Sequence, residues 1–415
     1  MSVQQEQNLV PGYSPHLRGQ IDSWLLDIPD EILGLQATSV GYGAPVRDLA
    51  ALLSRDAMLR MYVLQMIEQV DAKHATVTSI PELLNALELI STRAPEYCDD
   101  PARANFFPVS TLFVYLMMTP AGQVVFRHTE FNDCLRAILR DWCRFLDSPK
   151  SCSVLHTGER GWLSPSSYQR HNLDQYEIPD RRQAHWGFSS FNAFFHRRVR
   201  PECRPIADLA DPKRIVSPND GTLYKVARDA KSTDQFWIKS QPYSINNMLH
   251  GHPWSERFYG GTVFQSFLDG RNYHRFHAPV SGTVRDLRVI DGLMFSNAES
   301  AGFDLTAGTY SQAYMSCVNT RGLVFIESDD RALGMVCLIA VGISEISSVT
   351  FSVRANQHLG KGDELGYFSY GGSSVCLLFQ PGAIRSFHID ETATGTQVGT
   401  RGAPLAFGQL IAEAS

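Results

Sequence analysis

The sequence predicts an α+β protein in which a helical N-terminal domain precedes a β-rich domain. Apolar residues at three-to-four spacing run from Pro45 to about Leu146, a pattern that indicates helices with one buried face. From about residue 187, short β-branched and aromatic runs alternate with Gly, Pro, Asn and Asp, which is typical of strands joined by turns. This change of pattern, in a chain of 415 residues, predicts more than one domain.

The same patterns place the domain boundaries. Residues 1–44 are mixed in character and read as a loose lead-in, and 45–150 form the helical accessory domain. Residues 151–186 are rich in Ser, Pro, His and charge without periodicity, which predicts a surface linker. The β-rich domain then covers 187–415.

Three local patterns support individual helices. Ser79-Ile80-Pro81-Glu82 resembles a capping box, in which Ser79 accepts from the Glu82 backbone N–H and the Glu82 carboxylate reaches back. An amphipathic stripe over Phe131–Phe145 predicts a further helix, and we assign no chemistry to it. A short helix is predicted over Ser189–Phe195, continuing into Arg197 and Arg198.

Composition and charge exclude several classes of protein. The net charge is −6 and no block of Lys and Arg indicates a nucleic-acid track. The eight cysteines are scattered without a C-x-x-C pair, which favours free thiols in a reducing compartment over disulfides or a zinc site. The N-terminus does not resemble a signal peptide, and the apolar run Leu112–Met118 is too short to span a membrane. We therefore expect a soluble, cytoplasmic protein with at most a peripheral membrane contact.

The first candidate for chemistry is Asp220, in the segment Val216-Ser217-Pro218-Asn219-Asp220-Gly221. Asp-Gly after Pro is a common turn, so a purely structural role is one interpretation. The functional interpretation is that the Asp220 carboxylate orients a histidine, as an acid does in a Ser-His-Asp arrangement. Spacing along the chain does not decide between the two.

The second candidate is the pair His274 and His277, in Asn272-Tyr273-His274-Arg275-Phe276-His277-Ala278-Pro279. Two histidines three residues apart can face one pocket, and histidine titrates near neutral pH, which suits proton transfer. The alternatives are a metal pair or two surface histidines. A metal pair needs a third ligand, and no H-E-x-x-H motif or nearby Cys supplies one.

The third candidate is Gly371-Gly372-Ser373-Ser374, which precedes the strand-like run Val375–Phe379. We interpret the Gly372–Ser373 peptide bond as a reaction site, because glycine leaves the preceding carbonyl uncrowded and tolerates unusual backbone angles. A hairpin turn is the alternative, since turns also use Gly and Ser. An ordinary serine hydrolase is disfavoured, because its G-x-S-x-G elbow lacks the last Gly here.

These three segments, in this order, resemble the phosphatidylserine decarboxylase family of pyruvoyl enzymes. That family carries a short Asp-Gly turn, a Tyr-His-Arg-x-His-x-Pro segment and a Leu-Gly-Ser-Thr-type cleavage site near its C-terminus. The resemblance covers about 187–380. Further matches are Phe188–Phe195, Arg200–Ile206, Tyr243–Ile245 with Leu249, and Lys361–Gly366.

The chain departs from the family pattern in two places. Gly-Gly-Ser-Ser replaces Leu-Gly-Ser-Thr, and a long helical N-terminal domain replaces a membrane anchor. Both departures, together with Gly342–Ser347, resemble a soluble branch that includes fungal L-tryptophan decarboxylase. This branch favours an aromatic amino acid over a phospholipid as substrate.

The resemblance implies two reactions at one serine. Ser373 Oγ would attack the Gly372 carbonyl with His277, held by Asp220, as the base, and the chain would separate into 1–372 and 373–415. Residue 373 would become a pyruvoyl group, whose ketone condenses with the substrate amine and accepts the electrons released with CO₂. His274 would return a proton to the substrate. No PLP and no metal is expected.

Substrate contacts are predicted at four positions. Arg275 or Arg321 could bind the substrate carboxylate, and Phe276 and Phe351 are candidate pocket walls, with a plain core role as the alternative for both phenylalanines. The substrate itself stays open between an aromatic amino acid, tryptophan favoured, and phosphatidylserine met through a peripheral membrane contact at Leu112–Met118. A third reading is a non-catalytic β-domain scaffold.

Overall fold

The structure is a computed structural model of the chain. It describes residues 41–415 apart from 73, 99–106, 235–242, 269, 271–272, 299–308, 346–347, 371, 397–399 and 401. The predicted lead-in over 1–44 lies almost wholly outside the described residues. Across the described part, a helical region is followed by a β-rich region, so the predicted α+β fold is confirmed.

Amphipathic helices build the N-terminal region, as their periodicity predicts. They bury one face each, and the longest is α6, whose buried side includes Phe131, Leu135 and Trp142. The helices of this region are α1 (Ala44–Arg55), α2 (Ala57–Glu68), α3 (Ile80–Ser91), α4 (Pro108–Phe113), α5 (Pro120–Val125), α6 (Thr129–Leu146) and α7 (Pro165–Arg170).

The N-terminus of α3 is capped at the predicted serine. Ser79 Oγ accepts a hydrogen bond from the Glu82 N–H at 3.3 Å, which satisfies one of the free amides of the first turn. The Glu82 carboxylate reaches back one residue further than expected and accepts from the Thr78 N–H at 2.7 Å. The predicted start of the helix is therefore correct. The Glu82 carboxylate bonds the N–H of Thr78 and not that of Ser79 as the capping box predicts.

The segment 151–186 differs from the predicted surface linker. Trp162 is 4% exposed and its indole N–H donates to the Pro95 carbonyl at 2.7 Å, so this segment is anchored to the helical region. Short helical turns such as α7 are too brief to show a periodic pattern, which explains the misreading. Other residues of the segment that are buried in the same core are Cys152, Val154, Leu155, Leu163, Leu173 and Tyr176.

The β-rich region contains one large antiparallel sheet and two small ones. Their strand orders are β13-β2-β3-β11-β7-β6-β5-β9, β1-β14-β12 and β4-β10-β8. The strands are β1 (Arg214–Val216), β2 (Gly221–Ala230), β3 (Gly261–Leu268), β4 (Arg275–His277), β5 (Gly282–Ile290), β6 (Arg321–Ser328), β7 (Met335–Ile343), β8 (Val349–Phe351), β9 (His358–Leu359), β10 (Glu364–Phe368), β11 (Gly372–Phe379), β12 (Ile384–Phe387), β13 (Pro404–Leu405) and β14 (Leu410–Ala414).

Short helices connect these strands. The predicted helix at 189–195 is present as α8 (Phe191–Phe195) and ends before Arg197, with Ser190 as its cap at 3.0 Å from the Ala193 N–H. Two further helices are α9 (Ile245–Met248) and α10 (Gln312–Val318).

Strand β11 lies in the middle of the large sheet, between β3 and β7. Val375–Phe379 is fully buried, because both faces of a central strand are covered, and it therefore reads as a continuous apolar run. The hairpin-turn alternative does not hold for Gly372, Ser373 and Ser374, which are the first residues of β11 and pair with β7. Gly371 lies outside the described residues.

The helical and β-rich regions are in contact, because the core of the helical region also contains Met294, Phe295 and Tyr370 of the β-rich region, which has two further core clusters of its own. Arg127, just before α6, donates to the Asn297 carbonyl at 3.1 Å, and Asn132 of α6 accepts from the Met294 N–H at 3.1 Å, so the start of α6 is bonded to the loop after β5. Leu112–Met117 is buried, which removes the predicted peripheral membrane contact through this run, because its apolar side chains pack inside the protein. Over the described residues, no helix combines the length and apolarity needed to cross a bilayer.

Candidate active site

Ser373 is the second residue of β11 and is completely buried. Its backbone lies opposite Gly342 of β7 and Leu268 of β3. The Ser373 hydroxyl has no hydrogen-bond partner among the described residues. A buried hydroxyl without a partner costs about 1–3 kcal/mol, which makes Ser373 a candidate for a role other than stability.

The neighbouring hydroxyl of Ser374 is, in contrast, fully committed. Ser374 Oγ donates to the Ser266 carbonyl at 2.9 Å and accepts from Gln265 Nε2 at 2.8 Å. Ser374 therefore serves the sheet, whereas Ser373 follows Gly372, the residue whose carbonyl a hydroxyl nucleophile would attack. The two adjacent serines therefore differ in hydrogen bonding: the Ser374 hydroxyl is satisfied within the sheet, and the Ser373 hydroxyl has no partner among the described residues.

His274 is buried just before β4, beside the segment that leads into β11. Its ring stacks on Phe195 of α8 at a centroid distance of 4.1 Å, and Phe195 in turn packs on Tyr370 at 5.2 Å. The His274 carbonyl accepts from the Phe368 N–H at 2.9 Å. These contacts connect His274 to the chain directly upstream of Gly372.

His277 is held as a neutral imidazole of defined tautomer. Its Nδ1 lies 2.9 Å from the Gly362 carbonyl, which only accepts, so Nδ1 carries the proton. Nε2 is left to accept from the Tyr273 hydroxyl at 3.0 Å. Burial lowers the pKa of His277 to about 4 and raises the pKa of Tyr273, so near pH 7 the imidazole is a base and the phenol stays protonated.

Asp220 does not contact His277, contrary to the predicted pairing. Its carboxylate accepts from Arg204 Nε at 2.9 Å and Nη2 at 2.7 Å, and from the Phe407 N–H at 2.7 Å. The connection to His277 is indirect, because the Phe407 ring stacks on the imidazole at 3.7 Å. Asp220 thus positions a ring that covers the histidine, and Gly362 and Tyr273 supply the hydrogen bonds.

Three of these partners are not predicted from the sequence, for different reasons. Tyr273 and Arg204 stand inside segments that already match the family pattern, so their motifs contained the signal. Phe407 lies far along the chain, and no local pattern connects it with His277. Its role depends on the loop before β14, which only the folded structure brings to the site.

The predicted carboxylate ligands Arg275 and Arg321 are both committed to protein acceptors. Arg275 donates to Glu364 and to the His196 carbonyl, each at 2.7 Å. Each of the three guanidinium nitrogens of Arg321 donates to a backbone carbonyl, at 2.5–2.8 Å. The geometry argues against a substrate role for either side chain, because binding a carboxylate would require breaking these bonds.

Phe276 and Phe351 are core aromatics. Phe276 is fully buried and packs against Phe368 at 5.2 Å and Phe351 at 6.4 Å. This arrangement favours the plain core role that the sequence left open for both. Over the part of the chain that the structure describes, no group of three or more His, Cys, Asp or Glu side chains is placed to hold a metal ion.

Two family profiles match the chain. One, described as phosphatidylserine decarboxylase, matches residues 191–411, and a second of the same description matches 43–171. The first covers the strands and histidines of the site, and the second covers the helical region. The β-rich and helical parts are therefore both similar to known sequences of this kind.

Individual proteins with similar sequences are decarboxylases. Decarboxylase iboD of Amanita muscaria is 36% identical over 302 residues, 68% of this chain and 86% of the relative. L-Tryptophan decarboxylase of Psilocybe cubensis is 29% identical over 360 residues, 81% of this chain and 80% of the relative. Phosphatidylserine decarboxylase proenzyme of Chlamydia pneumoniae is 32% identical over 231 residues, 54% of this chain and 73% of the relative.

Proposed function

The chain belongs to the phosphatidylserine decarboxylase family and is a decarboxylase, and on this basis we propose that it decarboxylates an aromatic L-amino acid, tryptophan favoured. In this proposal the enzyme matures by cleaving itself between Gly372 and Ser373. The observation that carries the proposal is the buried hydroxyl of Ser373, which directly follows a glycine and has no hydrogen-bond partner in the part of the chain that the structure describes. Membership in a family of decarboxylases removes the reading of a non-catalytic scaffold.

Maturation begins at the Ser373 hydroxyl. Its proton passes to His277, Oγ attacks the Gly372 carbonyl carbon, and the peptide C–N bond breaks to give an ester and a free amine at residue 373. Loss of the Cα proton of residue 373 then breaks the Cβ–Oγ bond by β-elimination, which releases 1–372 with a free carboxylate and leaves a Cα=Cβ double bond at residue 373. Water replaces the amine nitrogen of the remaining unsaturated residue, ammonia leaves, and 373–415 begins with a pyruvoyl group.

His277 is suited to the first proton transfer. Burial holds it neutral, and the Gly362 carbonyl fixes the tautomer that leaves Nε2 as the basic nitrogen. Tyr273 occupies that nitrogen in the structure, so its hydroxyl must release Nε2 or relay the proton. In this proposal Gly362 and Tyr273, and not Asp220 as predicted, supply the hydrogen bonds that orient the His277 ring.

Decarboxylation needs an electron sink and a proton donor. A pyruvoyl group held at residue 373 would supply the sink, because a ketone there could accept the substrate amine and the electrons released with CO₂. His274 is proposed as the donor that returns a proton to the substrate. Its buried position against Phe195 keeps bulk water away, which favours loss of the substrate carboxylate charge.

The amino-acid substrate is favoured by the breadth of one similarity. The L-tryptophan decarboxylase of Psilocybe cubensis matches 81% of the chain, including the helical region, whereas the phosphatidylserine decarboxylase proenzyme of Chlamydia pneumoniae matches 54%. Phosphatidylserine stays as the alternative substrate. A cytoplasmic location, a two-chain product and the domain boundaries stay predictions.

A substrate panel tests the proposal. CO₂ release is measured with tryptophan, tyrosine, phenylalanine and phosphatidylserine, using the wild-type protein and the Ser373→Ala variant. We expect release from an aromatic amino acid, and none from the variant, which lacks the hydroxyl. Release from phosphatidylserine alone would overturn the amino-acid substrate, and release by Ser373→Ala would remove Ser373 from the chemistry.

A further inference from the structure

A cavity of about 230 Å³ lies where the β7–β11 ladder ends at the proposed cleavage bond. Gly372 pairs with Ile343, the last residue of β7. Tyr370 stands two residues before Gly372 and Glu345 two residues after Ile343, and both line the cavity. The cavity is therefore next to the residues that lead into the reactive position.

Helix α6 supplies the aromatic wall of the cavity. Trp142 and Tyr370 meet edge to face at a centroid distance of 5.6 Å, and both are buried. The Trp142 indole N–H donates to the Arg93 carbonyl at 2.7 Å, which fixes the orientation of the ring. Two rigid aromatic rings at right angles form a suitable wall for a third planar ring.

Two carboxyl groups line the cavity. Glu345 is 5% exposed and already accepts from the Ser110 N–H and hydroxyl, whereas Asp147 is exposed and accepts from Asn192 Nδ2 at 2.9 Å. Asn192 also accepts from the Tyr370 N–H at 3.2 Å, so the position of Asp147 is coupled to the cavity wall. Each carboxylate oxygen accepts more than one hydrogen bond, so these groups suit a ligand that carries an N–H donor.

The cationic side chains of the cavity lie at its rim. Arg140 and Arg144 have side chains that are 55% and 72% exposed, and they pair with Asp291 and Asp141. Because both arginines are already paired with aspartates, the described lining of the cavity offers no unpaired cation to a phosphodiester. Its size is below the roughly 300–1,000 Å³ of pockets for drug-sized ligands, which fits one amino-acid side chain and not two acyl chains.

We propose that this cavity binds the side chain of the amino-acid substrate, and that the preferred ligand class is a planar aromatic ring with an N–H donor, such as an indole. The inference rests on the proposed function, since the substrate amine must reach residue 373. It adds the site that selects the substrate: Trp142 and Tyr370 contact the ring, and the Glu345 and Asp147 carboxylates accept from its N–H.

Filling the cavity tests this assignment. Cys143 of α6 and Ser348 both line it, with Cys143 Sγ 3.9 Å from Ser348 Oγ, so Cys143→Phe and Ser348→Leu each reduce its volume. Cys134→Phe is the matched control, because Cys134 lies on the same helix and is not part of the cavity lining. Tryptamine and ethylamine, which differ by the indole ring, are compared as inhibitors of decarboxylation. Both fillers should raise the inhibition constant of tryptamine at least tenfold and leave that of ethylamine within twofold.

A binding readout that does not use activity complements the inhibition constants. Alkylation of Cys143 in the wild-type protein is followed by peptide mass mapping at mildly alkaline pH, because burial, with the Asp147 charge, raises the pKa of this thiol. Tryptamine should slow modification of Cys143 several-fold, ethylamine should not, and Cys134 should be unaffected by either amine.

The outcomes separate this inference from the proposed function. If the wild-type protein releases no CO₂ from aromatic amino acids yet tryptamine protects Cys143, the cavity assignment stands and the proposed reaction fails. If aromatic amino acids are decarboxylated and the fillers process normally but leave tryptamine inhibition unchanged, the cavity assignment is wrong. Loss of self-cleavage in both fillers, with cleavage intact in Cys134→Phe, also overturns it, because the cavity then serves maturation.

Discussion

Glu345→Gln should make the folded protein more stable above neutral pH. The Glu345 carboxylate joins the β-rich region to the helical region by accepting from the Ser110 N–H at 2.7 Å and the Ser110 hydroxyl at 2.5 Å. Burial raises its pKa from 4.5 to about 7, against the effect of these hydrogen bonds. Gln fits the same position, since its carbonyl accepts from the amide and its NH₂ can donate to the Ser110 oxygen.

The magnitude follows from this difference in pKa. A folded-state pKa of about 7 against 4.5 for the unfolded chain means that the folded state binds more protons between these values, so stability falls as pH rises through this window. The full loss is about 3 kcal/mol, most of which falls between pH 5 and pH 8. The glutamine side chain does not titrate, so the Glu345→Gln variant does not lose stability in this way.

Denaturant unfolding at pH 5 and pH 8 measures the effect, with Ser373→Ala in both proteins so that each is a single chain. The free energy of unfolding of the Gln variant, minus that of the parent, should rise by about 2–3 kcal/mol from pH 5 to pH 8. Glu364→Gln is the control. Burial raises the pKa of Glu364, but Ser352, Arg275 and Arg198 lower it further, so that this pKa stays below 4.5. The difference in the free energy of unfolding between the Glu364→Gln variant and its parent should therefore stay constant from pH 5 to pH 8. A pH-independent difference for Glu345→Gln would refute the reasoning.

Three further variants test the site. His277→Ala should block self-cleavage, because the neutral imidazole is the proposed base; gel electrophoresis of the purified protein reports this directly. His274→Ala should cleave normally yet release CO₂ at least about a hundredfold more slowly, as measured by kcat, because the proton donor is lost. Arg204→Met should lower the free energy of unfolding by about 3 kcal/mol, because it leaves the buried Asp220 carboxylate without its cation, and adding Asp220→Asn should recover part of the loss.

Each of these variants has an outcome that contradicts the account. Cleavage by His277→Ala together with none by His274→Ala would exchange the two roles. An Arg204→Met protein as stable as the parent would mean that the Asp220 ion pair contributes little to stability. No recovery on adding Asp220→Asn would mean that Arg204 acts through contacts other than this carboxylate.

Local patterns predict most of the longer elements, and most of the differences from the structure concern contacts between distant segments. The helix α3 and its cap follow from spacing and a serine within four residues, which the chain encodes locally. The apolar run Val375–Phe379 indicated a buried strand, but its central place between β3 and β7 depends on pairing with segments far along the chain. Sequence periodicity contains no information about such pairing.

The candidate active site shows the same contrast between what local motifs predict and what only the fold brings together. His274, His277 and Ser373 were recognised as chemistry-bearing residues from their motifs, whereas their partners were not. The indirect connection of Asp220 to His277 through Phe407 depends on a ring stacked at 3.7 Å, which no motif encodes. Arg275 failed as a predicted ligand for a related reason: its acceptors, His196 and Glu364, are brought to it only by folding.

Intact-mass measurement of the purified protein under denaturing conditions tests the central claim most directly. The account predicts two chains, 1–372 and 373–415, with the shorter one blocked at its first residue by a pyruvoyl group. Reduction with borohydride in the presence of tryptamine should attach the amine to that shorter chain, adding the mass of tryptamine less one water plus two hydrogens. A single intact chain of 415 residues, from a protein that retains Ser373, would contradict it.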